Sequence, residues 1–125
     1  MADAKPYPKS QQLARGERRY RRKVASPKQW QAIRAAKLDG QTCRISDDRR
    51  AEVLHHLVKR SHGGDDVADN LVPLCEVCHG IIHAAHGSPT AQYLLERLSD
   101  AEYAYMIERG GEDYPERAYG ISYER

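Results

Sequence analysis

VLHHLVKRSHGGDDVADNLVPLCEVCHGIIH, residues 53–83, holds five of the six histidines and two of the three cysteines of the 125-residue chain. Taken from residue 51, AEVLHHLV reads as a short strand. KRSHGGDDVADN follows as a long polar loop with a turn at Gly63-Gly64, and NLVPLC reads as a second short strand. CHGIIHAAH then has helical spacing, weakened by Gly80. Strand, loop, strand, helix predicts a small α+β unit.

Within CEVCHGIIH (75–83), Cys75 and Cys78 have the C-x2-C spacing of a zinc knuckle, whose turn brings two thiolates to one tetrahedral ion. His79 and His83 are four apart and share one helix face. His79 directly follows Cys78, and neighbouring helical residues project roughly 100° apart, so the four side chains cannot converge on one ion. A classical finger also needs about twelve residues between its pairs. The residues therefore predict two sites: a sulfur site facing Cys43 and a histidine site facing the strand of His55 and His56.

The sulfur site is structural by chemistry, since thiolates hold zinc tightly and close its coordination. Cys43, Cys75 and Cys78 supply three ligands, and Ser46 stands where a second knuckle would place the fourth. Serine is a poor zinc ligand. Water, an acid such as Asp47 or a more distant group completes the set, or the three are reduced thiols in a small core. Imidazoles with open positions instead suit a catalytic divalent ion. His55 and His56 are strand neighbours pointing to opposite sides, which predicts one ligand and one group free to take a proton.

All histidines and cysteines fall between residues 43 and 86. The flanks differ in charge: residues 1–23 carry +6, residues 24–88 are neutral and residues 89–125 carry −4. A basic arm on a neutral centre is an electrostatic footprint for nucleic acid. The sequence thus divides into a mobile basic arm (1–25), a core with a preceding helix (26–88) and an acidic, tyrosine-rich helical extension (89–125). SPKQWQAIRAAKLDG predicts a helix with Ser26 as N-cap, Pro27 at its first position, a capping box to Gln29, Gly40 as stop, and an apolar stripe of Trp30, Ile33 and Leu38 in the core. SPTAQYLLERLS and SDAEYAYMIERGG predict two more helices, capped by Ser88 or Thr90 and by Ser99 or Asp100, whereas EDYPERAYGISYER has no usable periodicity. No apolar run is long enough to span a membrane and the N-terminus lacks a signal-peptide core, which predicts a cytoplasmic protein.

Taken together, the His-His pair, the Gly-Gly loop, the Asn-Leu before the second strand and the C-x2-C-H run resemble the HNH endonuclease family of the ββα-metal superfamily, over roughly Cys43 to His83. Small phage-encoded HNH proteins look most similar. The resemblance implies a ββα-metal core with flanking helices. It implies that His55 and His79 are metal ligands, with His83 a further ligand or phosphate contact, and that His56 is the general base. Asn70 would brace the loop between the strands and so orient that base. Cys43, Cys75 and Cys78 would be three of four structural zinc ligands, with Ser46 the departure.

The activity implied is DNA phosphodiester hydrolysis, as nicking by a monomer or double-strand cleavage by a dimer. It would use one divalent cation (Mg²⁺, Mn²⁺, Ni²⁺ or Zn²⁺) and leave 5′-phosphate and 3′-hydroxyl ends. Lys59 and Arg60 are candidate phosphate contacts, or a solvated turn. Two other classes stay open: a non-catalytic zinc module that binds DNA, and a structural subunit of a phage packaging assembly whose tyrosines form an interface.

Overall fold

The structure, a computed structural model, describes residues 21–125; most of the expected basic arm, residues 1–20, lies outside the described residues. Helix α1 spans Pro27–Lys37. Ser26 Oγ accepts from Gln29 N (3.2 Å) and Gln29 Oε1 accepts from Ser26 N (2.9 Å), which satisfies two donors that a helix start would otherwise leave open. The expected core stripe is not a core stripe. No residue of α1 is buried; Trp30 and Ile33 are half-buried, and only Leu38, at the C-cap, is buried. Trp30 instead lies over His56, its ring near-parallel at 6.3 Å between centroids.

Strands β1 (Val53–His56) and β2 (Leu71–Leu74) form an antiparallel pair, with Val53 opposite Leu74 and His56 opposite Leu71. Pro73 has no N–H for a ladder, and its carbonyl accepts from Arg44 N at 2.9 Å. That bond draws the Cys43–Ser46 turn onto the sheet edge. Between the strands the chain makes two short 3₁₀ turns, Arg60–His62 and Ala68–Asn70. Gly64 is required there: a Cβ on it would lie 1.7 Å from Val58 O.

Helix α2 spans Glu76–Ala84, beginning two residues before the expected CHGIIHAAH, because Cys75 serves as N-cap and its Sγ accepts from Cys78 N. Helices α3 (Pro89–Glu96) and α4 (Asp100–Gly110) follow, capped by Ser88 and Ser99. A further short helix, α5 (Tyr114–Tyr119), lies in the tail where the sequence showed no period. Its signals were Pro115 in the first turn and Gly120 at the C-cap with φ +73°. The result is a small α+β fold with a ββα core and flanking helices.

Among the described residues an apolar cluster joins the core to the extension. Leu57, Val58, Val72, Leu74 and the three cysteines pack with Ala91, Leu94, Leu95, Leu98, Met106, Tyr114, Tyr119 and Ile121. Glu102 of α4, only 1% exposed, is held by Arg44 (2.6 and 3.1 Å) and Lys37 (2.8 Å). It ties α4 to α1 and to the Cys43 turn.

Candidate metal centres and the histidine on the opposite face

Cys43, Cys75 and Cys78 are buried, and their sulfurs lie within 4.8 Å of one another. At two of the three sulfurs a backbone N–H three residues ahead points at the sulfur: Ser46 N at Cys43 Sγ (3.3 Å) and Cys78 N at Cys75 Sγ (3.4 Å). Donors aimed at sulfur favour the thiolate. Burial pushes the Cys43 thiol up, but the N–H groups of Ser46, Cys75 and Ile45 outweigh it and leave the thiol below its usual value. Cys78 is raised to about 11, by burial first and then by the neighbouring sulfurs, against the pull of Ser46. Ser46 Oγ is 3.1 Å from Cys78 Sγ, so a hydroxyl stands beside one of the three sulfurs.

The imidazoles of His55, His79 and His83 form a second cluster, with one ring nitrogen from each within 4.8 Å of the others. Residues 79 and 83 sit on successive turns of α2, and their Nε2 atoms are 3.0 Å apart. His55 comes from β1 and is 2% exposed. Burial, and then the positive charge His79 and His83 would carry, holds His55 well below the ordinary histidine value. His79 is lowered by burial and by His83. Neutral imidazoles at neutral pH keep the lone pairs a metal needs. The cysteine and histidine sets are separate clusters because Cys78 and His79, adjacent on α2, leave the helix in different directions.

His56 belongs to neither cluster. It faces α1, where its Nε2 is 2.9 Å from Asp66 Oδ1. Asp66 also receives Arg22 Nη2 (2.6 Å) and Ala25 N (3.1 Å), and Arg60 Nε stands 3.4 Å from His56 Nε2 and 3.6 Å from Asp66 Oδ1. Burial raises Asp66, yet the His56 bond, the Ala25 N–H and the two arginines leave it below its usual value and so ionised. Burial likewise lowers His56, against the opposing pull of Asp66.

Asn70, fully buried, makes three bonds across the loop: Val58 N to its Oδ1 (2.8 Å), and its Nδ2 to Val58 O (3.1 Å) and Asp65 O (2.9 Å). It therefore fixes the backbone two residues past His56 to the backbone one residue before Asp66. Lys59 and Arg60 are exposed at the start of the loop, and the Arg60 guanidinium lies 6.0 Å from the Trp30 ring centre. The remaining histidines bond elsewhere: His62 Nδ1 is 2.9 Å from Tyr114 Oη and His86 Nε2 is 3.3 Å from Arg117 O.

The sequence assigned no role to Asp66 or Arg22 at this site, and it placed Trp30 in the core and Tyr119 among the interface tyrosines. Only Asp66 left a local trace, as a carboxylate just after the Gly63-Gly64 turn. Tyr119 Oη is 2.8 Å from His55 Nε2 and 2.6 Å from Leu57 O, a contact spanning 64 residues.

Residues 41–85 match the family model described as HNH endonuclease, about a third of the chain and the segment that holds both clusters, His56 and Asn70. No curated protein and no solved structure matches the chain. No helix among the described residues is long and apolar enough to cross a membrane.

Proposed function

We propose that the matched segment is the catalytic centre of a metal-dependent endonuclease that hydrolyses DNA phosphodiester bonds. One observation carries the reading: three imidazoles converge from β1 and two turns of α2, while the adjacent histidine is held apart by an ionised carboxylate. A divalent ion (Mg²⁺, Mn²⁺, Ni²⁺ or Zn²⁺) held by His55, His79 and His83 would neutralise charge on the scissile phosphate and the departing 3′ oxygen.

His56 is the general base. A carboxylate can only accept, so the 2.9 Å bond to Asp66 requires the proton on Nε2, whereas the longer 3.4 Å approach of Arg60 Nε would require a lone pair there; on the shorter bond, Nδ1 is the basic nitrogen. Nδ1 takes the proton of the attacking water, and Asp66 stabilises the imidazolium that forms. Asn70 positions this pair through the loop backbone it clamps. Attack by water with loss of the 3′ oxygen gives 5′-phosphate and 3′-hydroxyl ends. Lys59 and Arg60 contact DNA phosphates, and the basic arm adds sequence-independent attraction.

Cys43, Cys75 and Cys78 would hold a structural zinc, to which the Ser46 hydroxyl or a water could supply a further ligand. That cluster also favours a second reading, a DNA-binding zinc module without catalysis. Incubating supercoiled plasmid with the protein and Mg²⁺, Mn²⁺ or Ni²⁺, beside His56→Ala and His79→Ala, separates the two. Metal-dependent nicked or linear product from the native chain alone supports the nuclease; DNA binding without cleavage by any of the ions refutes it. The phage packaging role rests on the sequence resemblance, and loss of a packaging protein from a pull-down with a chain ending at Ser99 is its test.

A further inference from the structure

We propose that Tyr119 is a positioning residue for the imidazole site, fixing His55 as its Nε2–H tautomer so that Nδ1 is the ligand atom. This rests on the reading of His55, His79 and His83 as metal ligands. Tyr119 lies outside the matched residues 41–85, on the short helix α5 of the extension.

Tyr119 Oη stands 2.6 Å from Leu57 O and 2.8 Å from His55 Nε2. A carbonyl oxygen can only accept, and a phenol has one proton, so that proton goes to Leu57 O. Toward His55 the phenol oxygen then offers only a lone pair, and Nε2 must carry the hydrogen. A neutral imidazole has one N–H, which leaves the lone pair on Nδ1. His55 is 2% exposed and Tyr119 5%, so no solvent is at hand to substitute for either bond.

The phenol is held in place from a second direction. Gly87 N donates to Tyr119 O at 2.8 Å, and Gly120 takes the left-handed region at φ +73°. A Cβ on Gly120 would lie 2.6 Å from His86 Nδ1 and 2.7 Å from Gly87 N. The end of α5 is thus pressed onto the turn that leaves α2, the helix of His79 and His83. One residue joins the strand that carries His55 to the helix that carries the other two rings. Groups that orient a metal-bound histidine in this way typically change metal affinity by about 10–100-fold when removed.

The test uses the full chain, wild type and Tyr119→Phe, which deletes one oxygen and leaves the ring. A long-range ¹H–¹⁵N spectrum of the metal-free wild type reads the tautomer directly: His55 should carry its proton on Nε2, and a proton on Nδ1 overturns the proposal. Ni²⁺ titration calorimetry then reads affinity, with the imidazole isotherm identified as the one lost in His79→Ala. Tyr119→Phe should bind Ni²⁺ there about 10–100-fold more weakly, while zinc content at the thiols stays the same; equal affinity overturns the proposal. Should Tyr119→Phe fail to fold, the wild-type tautomer still decides. If the wild type shows no isotherm that depends on His79, the ligand reading itself fails, an outcome distinct from the tautomer result.

Discussion

Glu102→Gln tests how the extension is fastened to the segment that matches the family model. Glu102 is 1% exposed, and its carboxylate accepts from Arg44, Lys37 and the Ser99 backbone. Burial alone would raise its pKa, but the bonds from Arg44, Lys37 and Ser99 outweigh that and lower it from 4.5 to about 2. At about 1.4 kcal/mol per pH unit, that displacement corresponds to at most about 3.5 kcal/mol of folding free energy. The folded value is the depressed one, so the contribution is complete above about pH 5 and is lost as pH falls from 4.5 toward 2. Glu102→Gln keeps the shape, removes the charge and leaves two cations without their anion. It should cost roughly 2–3 kcal/mol at pH 7, and the deficit should shrink on acidification, because the protonated wild-type side chain becomes nearly equivalent to glutamine. Urea unfolding followed by far-UV circular dichroism at pH 7, 5, 4 and 3 measures both quantities. A deficit below about 0.5 kcal/mol at pH 7, or one that stays constant down to pH 3, refutes the reasoning.

The glycine pair of the loop should separate sharply. Gly64→Ala drives a Cβ to 1.7 Å from Val58 O and 2.9 Å from Asn70 Nδ2, which breaks the Asn70 clamp; a cost of roughly 3 kcal/mol or more is expected, against about 1 kcal/mol for Gly63→Ala, where φ is +89° but the space is open. Equal melting temperatures for the two variants would contradict this. Asp66→Asn should lower kcat about 100-fold or more with little change in KM, since an amide no longer stabilises a charged His56; an unaltered kcat removes Asp66 from the mechanism. Protein prepared without added metal should contain about one zinc per chain, lost in Cys75→Ala together with several kcal/mol of stability. Elemental analysis that finds no zinc in the folded wild type would leave the cluster as reduced thiols.

What the sequence made legible was the part governed by short spacings. Alternation around His55 and His56, the Gly-Gly turn, and the roughly 100° step between Cys78 and His79 are local rules. They suffice to anticipate a strand, a loop, a strand and a helix carrying two separate clusters. Ser26 and Ser99 were readable as caps for the same reason, since each cap bonds within three residues. Helix α1 shows where such rules stop. Trp30 and Ile33 have the period of a core stripe, but period alone does not say what lies opposite, and Trp30 stacks on the ring of His56 rather than in the core.

The rest was hidden because it depends on pairs far apart in the chain. Each histidine of the adjacent pair presents Nε2 to an oxygen: His55 to Tyr119, 64 residues on, and His56 to Asp66. Hydropathy registers Tyr119 only as an apolar residue in an aperiodic tail. Its phenol oxygen matters solely because α5 folds back over β1 and finds Leu57 O beside His55. The two oxygens also differ in kind. A carboxylate stabilises an imidazolium beside it, which suits a ring that must gain a proton. A phenol whose proton is committed to a carbonyl fixes the tautomer and adds no charge, which suits a ring that must stay neutral to donate to a metal. The division of labour proposed for the two adjacent histidines therefore follows from the partners that tertiary structure supplies. On this argument, exchanging the character of those partners should disturb the site more than any conservative change on the exposed face of α1.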